Sequence, residues 1–276
     1  MSKVIVISGI AQGMGREVSL MLATEGYTIC GFDIEKKYLD SLSDELSKLN
    51  AKFHLEPLSI TDSDKLIKFK DTVLKKFGNV DTVVSNVGIG FFGPFEEVDL
   101  NKALQCFDIN VMGCARLLQA FLPSMRVAKK GKIIVMSSLV GQVPFPFESI
   151  YSATKFAIEG MVSSLRYEVT PFGIQVAMIQ PAQVSTNFAA KAQKLPEKES
   201  PYYDRCVRFI NRDNDLIRTA TNPKQAAERI VKVIVSNKPK LFNQVDFMST
   251  FFLGLNRFLP QKIKDKILLN HMNINI

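Results

Sequence analysis

Cysteine is scarce in this 276-residue chain, and the four present, Cys30, Cys106, Cys114 and Cys206, fall at no metal-binding or redox spacing. Their apolar neighbours fit reduced, buried thiols, which sets aside a disulfide-built scaffold and a thiol-redox motif, and no metal centre is expected. No apolar run approaches the ~20 residues needed to cross a bilayer. No basic-then-apolar leader opens the chain, since Met1 to Ser8 runs straight into a strand-like segment, so a soluble, cytoplasmic protein is expected. Internal repeats, low-complexity tracts and domain linkers are also missing, which leaves a single domain over 1–276. With 46% hydrophobic residues the chain has ample material for a core.

The net charge is +8 and is unevenly spread. Residues 1–190 carry nineteen Lys/Arg against nineteen Asp/Glu, whereas 191–276 carry sixteen against eight. The basic third reads as a solvated face or as a surface for an acidic partner, such as an anionic membrane or an acidic carrier protein. No recognition motif accompanies the charge, so no nucleic-acid partner is expected. An apolar stretch at 247–259, followed by Lys262, Lys264 and Lys266, either shapes a pocket entrance or touches a membrane surface.

Short β-branched runs at 4–8, 28–33, 52–55, 81–85, 132–136 and 175–180 alternate with segments of helical period. Several runs are apolar on successive residues, as in Val4-Ile-Val-Ile7 and Ile133-Ile-Val135, which fits parallel strands covered on both faces. The pattern predicts an α/β doubly wound parallel sheet with helices on both faces. Thr61-Asp62 should start one helix and Phe77-Gly78 end it, and Thr221-Asn-Pro223 should open another running to Ser236. A last strand is expected at 240–245. Residues 1–185 read as the core, 186–220 as a polar, proline-studded lid insertion and 221–276 as the closing segment.

Three features carry chemistry. Gly9, Gly13 and Gly15 follow the first strand and open the first helix, where a tight turn brings backbone N–H groups and a helix N-terminus against a pyrophosphate. Asp33, at the end of the second strand, is placed to meet the ribose hydroxyls of an adenosine. It would repel a 2′-phosphate, and Gln12 and Ile34 offer no compensating charge, so NAD is preferred, with Lys36 and Lys37 keeping NADP open. Tyr151 and Lys155, four apart, share one helix face, where an ammonium is expected to depress the phenol's pKa.

In these motifs the chain resembles the short-chain dehydrogenase/reductase family, and in Ile150 to Gly160 and Pro171-Phe-Gly173 its hydroxysteroid and retinol dehydrogenase branch. Asn86-Val87-Gly88, Asn110, Ser138 and Pro181 stand in the family's order, and Ser138 precedes Tyr151 by the family's thirteen residues. The resemblance implies a Rossmann-type fold and a catalytic set of Asn110, Ser138, Tyr151 and Lys155. Tyr151 would be the general acid and base, Lys155 would also hold the nicotinamide ribose, Ser138 would bond the reacting oxygen, and Asn110 would anchor a relay water. It further implies cofactor contacts from Gly9, Gln12, Gly13, Met14 and Gly15, from Ser59 and Ile60 at the adenine, from Asn86, Val87 and Gly88, and from Pro181, Val184 and Thr186 near the nicotinamide. The chain has Ala182 where the family usually has Gly, and Ser59 where it often has Asp.

Apolar residues flank these positions: Ile89, Phe91, Phe92 and Phe95, then Leu139, Val140, Val143, Pro144, Phe145 and Phe147, with Phe188 opposite. Such walls suit a steroid-, retinoid- or acyl-like secondary alcohol or ketone better than a sugar. The expected activity is NAD(H)-dependent, in the oxidation direction. The alternative is an NADPH-dependent ketoreductase acting on carrier-bound acyl or polyketide-type substrates. By resemblance the chain would form a homodimer or homotetramer.

Overall fold

The computed structural model describes residues 2–185 and 196–274. Seven parallel strands form the sheet: β1 (Val4–Ser8), β2 (Thr28–Asp33), β3 (Phe53–Pro57), β4 (Thr82–Ser85), β5 (Gly131–Met136), β6 (Ile174–Ile179) and β7 (Phe242–Asn243). Their spatial order is β3-β2-β1-β4-β5-β6-β7. The chain therefore builds outward from β1 in one direction, then returns to start β4 on its other side. In register, Ile5 is flanked by Ile29 and Thr82, and Ile7 by Gly31 and Val84. At this reversal the loops leaving β1 and β4 diverge and open a crevice at the C-terminal ends of the strands.

Alternation within the apolar strands splits the core in two. Val4, Val6, Cys30 and Phe32 face one side, where α3 (Ser63–Phe77), α5 (Gly113–Ala128) and α6 (Ser149–Val169) bring Phe69, Phe121 and Val162. Ile5, Ile7 and Ile29 face the other, against Leu22, Leu42 and Ile230 of α1 (Gly13–Thr24), α2 (Lys36–Lys48) and α8 (Pro223–Val235). Both faces are dry, which explains why a period of two carries no polar half. The expected helix ends hold: the Asp62 carboxylate caps α3 through Lys65 N–H at 3.0 Å, Gly78 closes it at φ +79°, and Asn222 caps α8 through Gln225 N–H at 2.9 Å. β3 is an edge strand, so it tolerates Pro57 at its end and runs two residues beyond the expected 52–55.

Two expectations need correction. The last strand spans only Phe242–Asn243, because the chain then turns so that the Asp246 carboxylate caps α9 (Phe247–Phe258) at Ser249 N–H. The stretch read as a polar excursion contains a 16-residue helix, α7 (Tyr203–Arg218), which buries Cys206, Phe209 and Asp213 along one face. With α9 and α10 (Gln261–His271), α7 builds a third apolar cluster over the C-terminal ends of the strands, centred on Phe145, Tyr151, Phe209 and Phe252. The rest of α9 turns outward, leaving Phe247 74% and Phe258 80% exposed. Among the described residues no helix is long and apolar enough to cross a membrane.

Candidate active site

The crevice is a cleft of about 390 Å³ running from the glycine loop to α7. At one end Gly9 (φ +65°) and Gly13 (φ +54°) adopt the left-handed backbone that other residues resist. Gly15 is needed for a different reason: a Cβ there would lie 2.4 Å from Gly9 O and 2.7 Å from Asn86 Nδ2. Asn86 in turn donates to Gly9 O at 2.9 Å and Ser8 O at 3.2 Å, tying the loop after β4 to the loop after β1. Helix α1 starts at Gly13 with no side-chain cap from Gln12 and no acid in its first turn, so its leading N–H groups face the cleft. Such a cradle fits a dinucleotide pyrophosphate.

Asp33 lies beside it, with Oδ2 accepting from Ala11 N–H at 3.1 Å and Oδ1 from Glu35 N–H at 3.2 Å. Two of the nearby cations are engaged elsewhere. Arg16 pairs with Glu45 at 2.8 Å and also donates to the carbonyls of Ala11 and Tyr38, while Lys36 pairs with Asp40 at 3.0 Å. Leu58, Ser59 and Ile60 complete this end of the cleft, and Ser59 Oγ and Thr61 Oγ1 share a hydrogen bond of 2.8 Å.

In the middle, Ser138 lies two residues past the end of β5 and caps a short 3-10 turn, Leu139–Gly141, by accepting from Val140 N–H at 3.3 Å, and its hydroxyl bonds the Tyr151 phenol. Lys155 is one helical turn further along α6, its Nζ donating to Met136 O at 2.8 Å and lying 5.6 Å from the centre of the Tyr151 ring. Asn110 occupies a π-helical turn, Asp108–Met112, between α4 (Leu100–Phe107) and α5. Its amide clasps the loop after β4, accepting from Ile89 N–H at 2.8 Å and donating to Ile89 O at 3.0 Å and Thr154 Oγ1 at 3.1 Å. Asn110 is thus behind the cleft wall rather than on it, and Gly15 lies beneath the loop.

The electrostatics run against the expected depression of Tyr151. In the chain alone, burial pushes the phenol well above its ordinary pKa, the Glu148 carboxylate adds to this, and the bond from Ser138 works weakly the other way. Burial also brings the Lys155 ammonium down to about 8. Desolvation therefore dominates the pair, because both groups are enclosed between α6 and the sheet.

Beyond Tyr151 the walls are Ile89, Phe92, Leu139, Val140 and Phe145. Phe147 does not line the cleft: at φ +61° it turns away and packs on Phe209 of α7, ring centres 5.7 Å apart, while Phe209 also meets Phe92 at 6.4 Å. Phe95, read as a wall, is 71% exposed, and Pro144 is exposed as well. Pro181, Ala182 and Val184 line the cleft, whereas Thr186 and Phe188 lie outside the described residues. Sequence reasoning missed Glu148, Gln183, Asp213 and Ile217, which also line it. Only the position of Glu148, one turn before Tyr151, gave a signal.

A family model described as short chain dehydrogenase matches residues 3–197. The chain is 26% identical over 264 residues to the 3-ketodihydrosphingosine reductase of Bacteroides thetaiotaomicron, covering 95% of this chain and 94% of that protein. It is 31% identical over 209 residues to the 17-beta-hydroxysteroid dehydrogenase type 1 of Homo sapiens, covering 74% of this chain and 60% of that one. Among solved structures, a short-chain dehydrogenase from Streptomyces avermitilis matches with a TM-score of 0.83 and 29% identity, over 97% of this chain and 96% of that chain.

Proposed function

Because the chain belongs to the short-chain dehydrogenase/reductase family, and so is an NAD(P)-dependent oxidoreductase, we propose that it interconverts a secondary alcohol and a ketone on an apolar substrate, with Tyr151 as general acid and base. The observation that carries this reading is the Tyr151 phenol, bonded to Ser138 and backed by Lys155, on the floor of a cleft that joins the glycine cradle to apolar walls. A bound nicotinamide dinucleotide supplies hydride to the carbonyl carbon or takes it from the alcohol carbon.

The Ser138 and Tyr151 hydroxyls converge on the place for the reacting oxygen. Tyr151 gives its proton to that oxygen in reduction and takes it back in oxidation. Ser138 stabilises alkoxide character there, and Asn110 keeps the wall at Ile89 in position. In the free chain the enclosed phenol is protonated, the form that reduction uses, and in oxidation it must first give that proton up. Lys155, anchored on Met136 O, lies across the phenol ring and offsets the charge left on the phenolate.

NAD is preferred over NADP because the Asp33 carboxylate would meet a 2′-phosphate while Arg16 and Lys36 are engaged by Glu45 and Asp40. The same engagement weakens the case for an NADPH-dependent ketoreductase on carrier-bound acyl groups. An apolar substrate is supported by Ile89, Phe92, Leu139, Val140 and Phe145, and by two relatives named for lipid-like molecules, a sphingoid base and a steroid. Exposed Leu100, Leu104, Met112 and Phe156 along α4 to α6 leave an apolar face for a second copy of the chain. The test is loss of NADH absorbance over a panel of ketones: apolar ketones should be reduced well and hydroxylated ones of equal length poorly. Equal rates on sugars and apolar ketones would overturn the assignment of substrate class.

A further inference from the structure

Two acids lie in this otherwise apolar part of the cleft, and the chemistry assigned to Tyr151 uses neither. Glu148 occupies the position before α6, yet its side chain does not cap the helix and has no hydrogen-bond partner among the described residues. It is 6% exposed and lines the cleft. Asp213 reaches the same space from α7; it is 8% exposed and accepts one bond, from Gln183 Nε2 at 3.3 Å. Neither carboxyl forms an ion pair with a described residue. Both carboxyls line the same cleft; burial first, then the Asp213 charge, holds the Glu148 carboxyl well above the usual range, and burial raises Asp213 too.

Two buried carboxyls lining one cleft without a cation are costly in a folded protein, because each ionised form loses water and like charges repel. A neutral hydroxyl would satisfy one of them. A positive charge satisfies both, and the described residues offer no third acid or His with which they could hold a metal ion. We propose that Glu148, Asp213 and Gln183 form a subsite for a protonated amine, so that the substrate is an amino ketone with an apolar body. This rests on the reading of Tyr151 as the proton donor.

The location fixes where that amine sits on the molecule. Glu148 is one turn before Tyr151, and its charge is felt at the phenol. The amine therefore lies beside the reacting carbonyl, not at the far end of the apolar body, which extends along Val140, Phe145 and Ile217. Docking the ammonium removes the Glu148 charge that works against proton loss from Tyr151, so the correct substrate also eases proton transfer to its own carbonyl oxygen.

The test compares two ketones that differ only in the amine, 2-aminododecan-3-one and dodecan-3-one, with the full chain and NADH. Wild type should favour the amine in kcat/KM by about 50-fold or more, the scale of a buried charge pair. Glu148→Gln and Asp213→Asn, on separate elements, should each bring that ratio toward one. Calorimetric binding of the matching alcohols, 2-aminododecan-3-ol and dodecan-3-ol, to the NADH-saturated protein reads the subsite without turnover and should show the same loss. Equal treatment of the two ketones by wild type, or a preference untouched by both substitutions, would overturn the subsite and leave the reductase reading intact. Failure to reduce either ketone, together with amine binding that depends on Glu148, would uphold the subsite and refute the reductase reading.

Discussion

A single methyl group at Gly15 should cost cofactor affinity by a route that can be followed in the structure. In Gly15→Ala the new Cβ would meet Gly9 O at 2.4 Å and Asn86 Nδ2 at 2.7 Å, one backbone and one bonded side-chain atom, so no flexible end can swing aside. Restoring an ordinary separation of about 3.5 Å moves the loop from α1 by roughly 1 Å. Overpacking of this kind costs about 1–3 kcal/mol, which for a chain of this size lowers Tm by roughly 2–10 °C. The same shift displaces Gly9 and strains the Asn86 bonds that shape the pyrophosphate cradle, so the Kd for NADH should rise about 10- to 100-fold. The chain has no tryptophan, so the fluorescence of bound NADH can be titrated without an indole background. Gly254→Ala is the control: its Cβ meets nothing within 4 Å inside α9, and it should stabilise by about 1 kcal/mol with NADH binding unchanged. A Gly15→Ala protein with lowered Tm but wild-type affinity for NADH would refute the link between this close approach and the cofactor.

Asp33→Asn should weaken NADH about tenfold and narrow its advantage over NADPH, read as the ratio of the two Kd values; an unchanged ratio would remove Asp33 from cofactor choice. Lys155 gives a stability signature against pH. Its folded value of about 8 lies below the ordinary lysine value of 10.5, so between these the unfolded chain binds the extra proton and stability rises with pH. The thiols of Cys106 and Cys114, raised to about 11, contribute the opposite slope. The difference between wild type and Lys155→Met in urea unfolding isolates the lysine: it should move in favour of wild type from pH 8 to 10.5 by on the order of a few kcal/mol. A pH-independent difference would mean that Lys155 is not desolvated.

The parts of the fold legible in the sequence were those where the backbone or a two-sided core restricts residue choice. Gly9 and Gly13 stand at positive φ, and Ile5 and Val6 face opposite dry layers, so a loop and a strand could each be read from residue type alone. Tyr151 and Lys155 were legible through helical spacing, but the sign of the field on the phenol was not, because it follows from enclosure and from Glu148. Helix α7 was hidden for a related reason: Arg205, Arg208, Arg212 and Arg218 dominate its composition, while Cys206, Phe209 and Asp213 mark its inner face. Asp213 reads as a surface charge until α7 is laid over the cleft. Phe145 and Phe147 look alike in the sequence, and a left-handed backbone at Phe147 separates the wall from the residue behind it.

The central claim is that Tyr151 moves the proton. It is tested by following NADH oxidation with an apolar ketone in wild type and Tyr151→Phe, with NADH affinity measured in parallel. The substitution removes one oxygen from the cleft floor and leaves the ring beside Lys155, so kcat should fall by about 100- to 10,000-fold while the Kd for NADH stays within about threefold of wild type. A Tyr151→Phe protein that binds NADH normally and still reduces the ketone at a tenth of the wild-type rate or better would contradict the account.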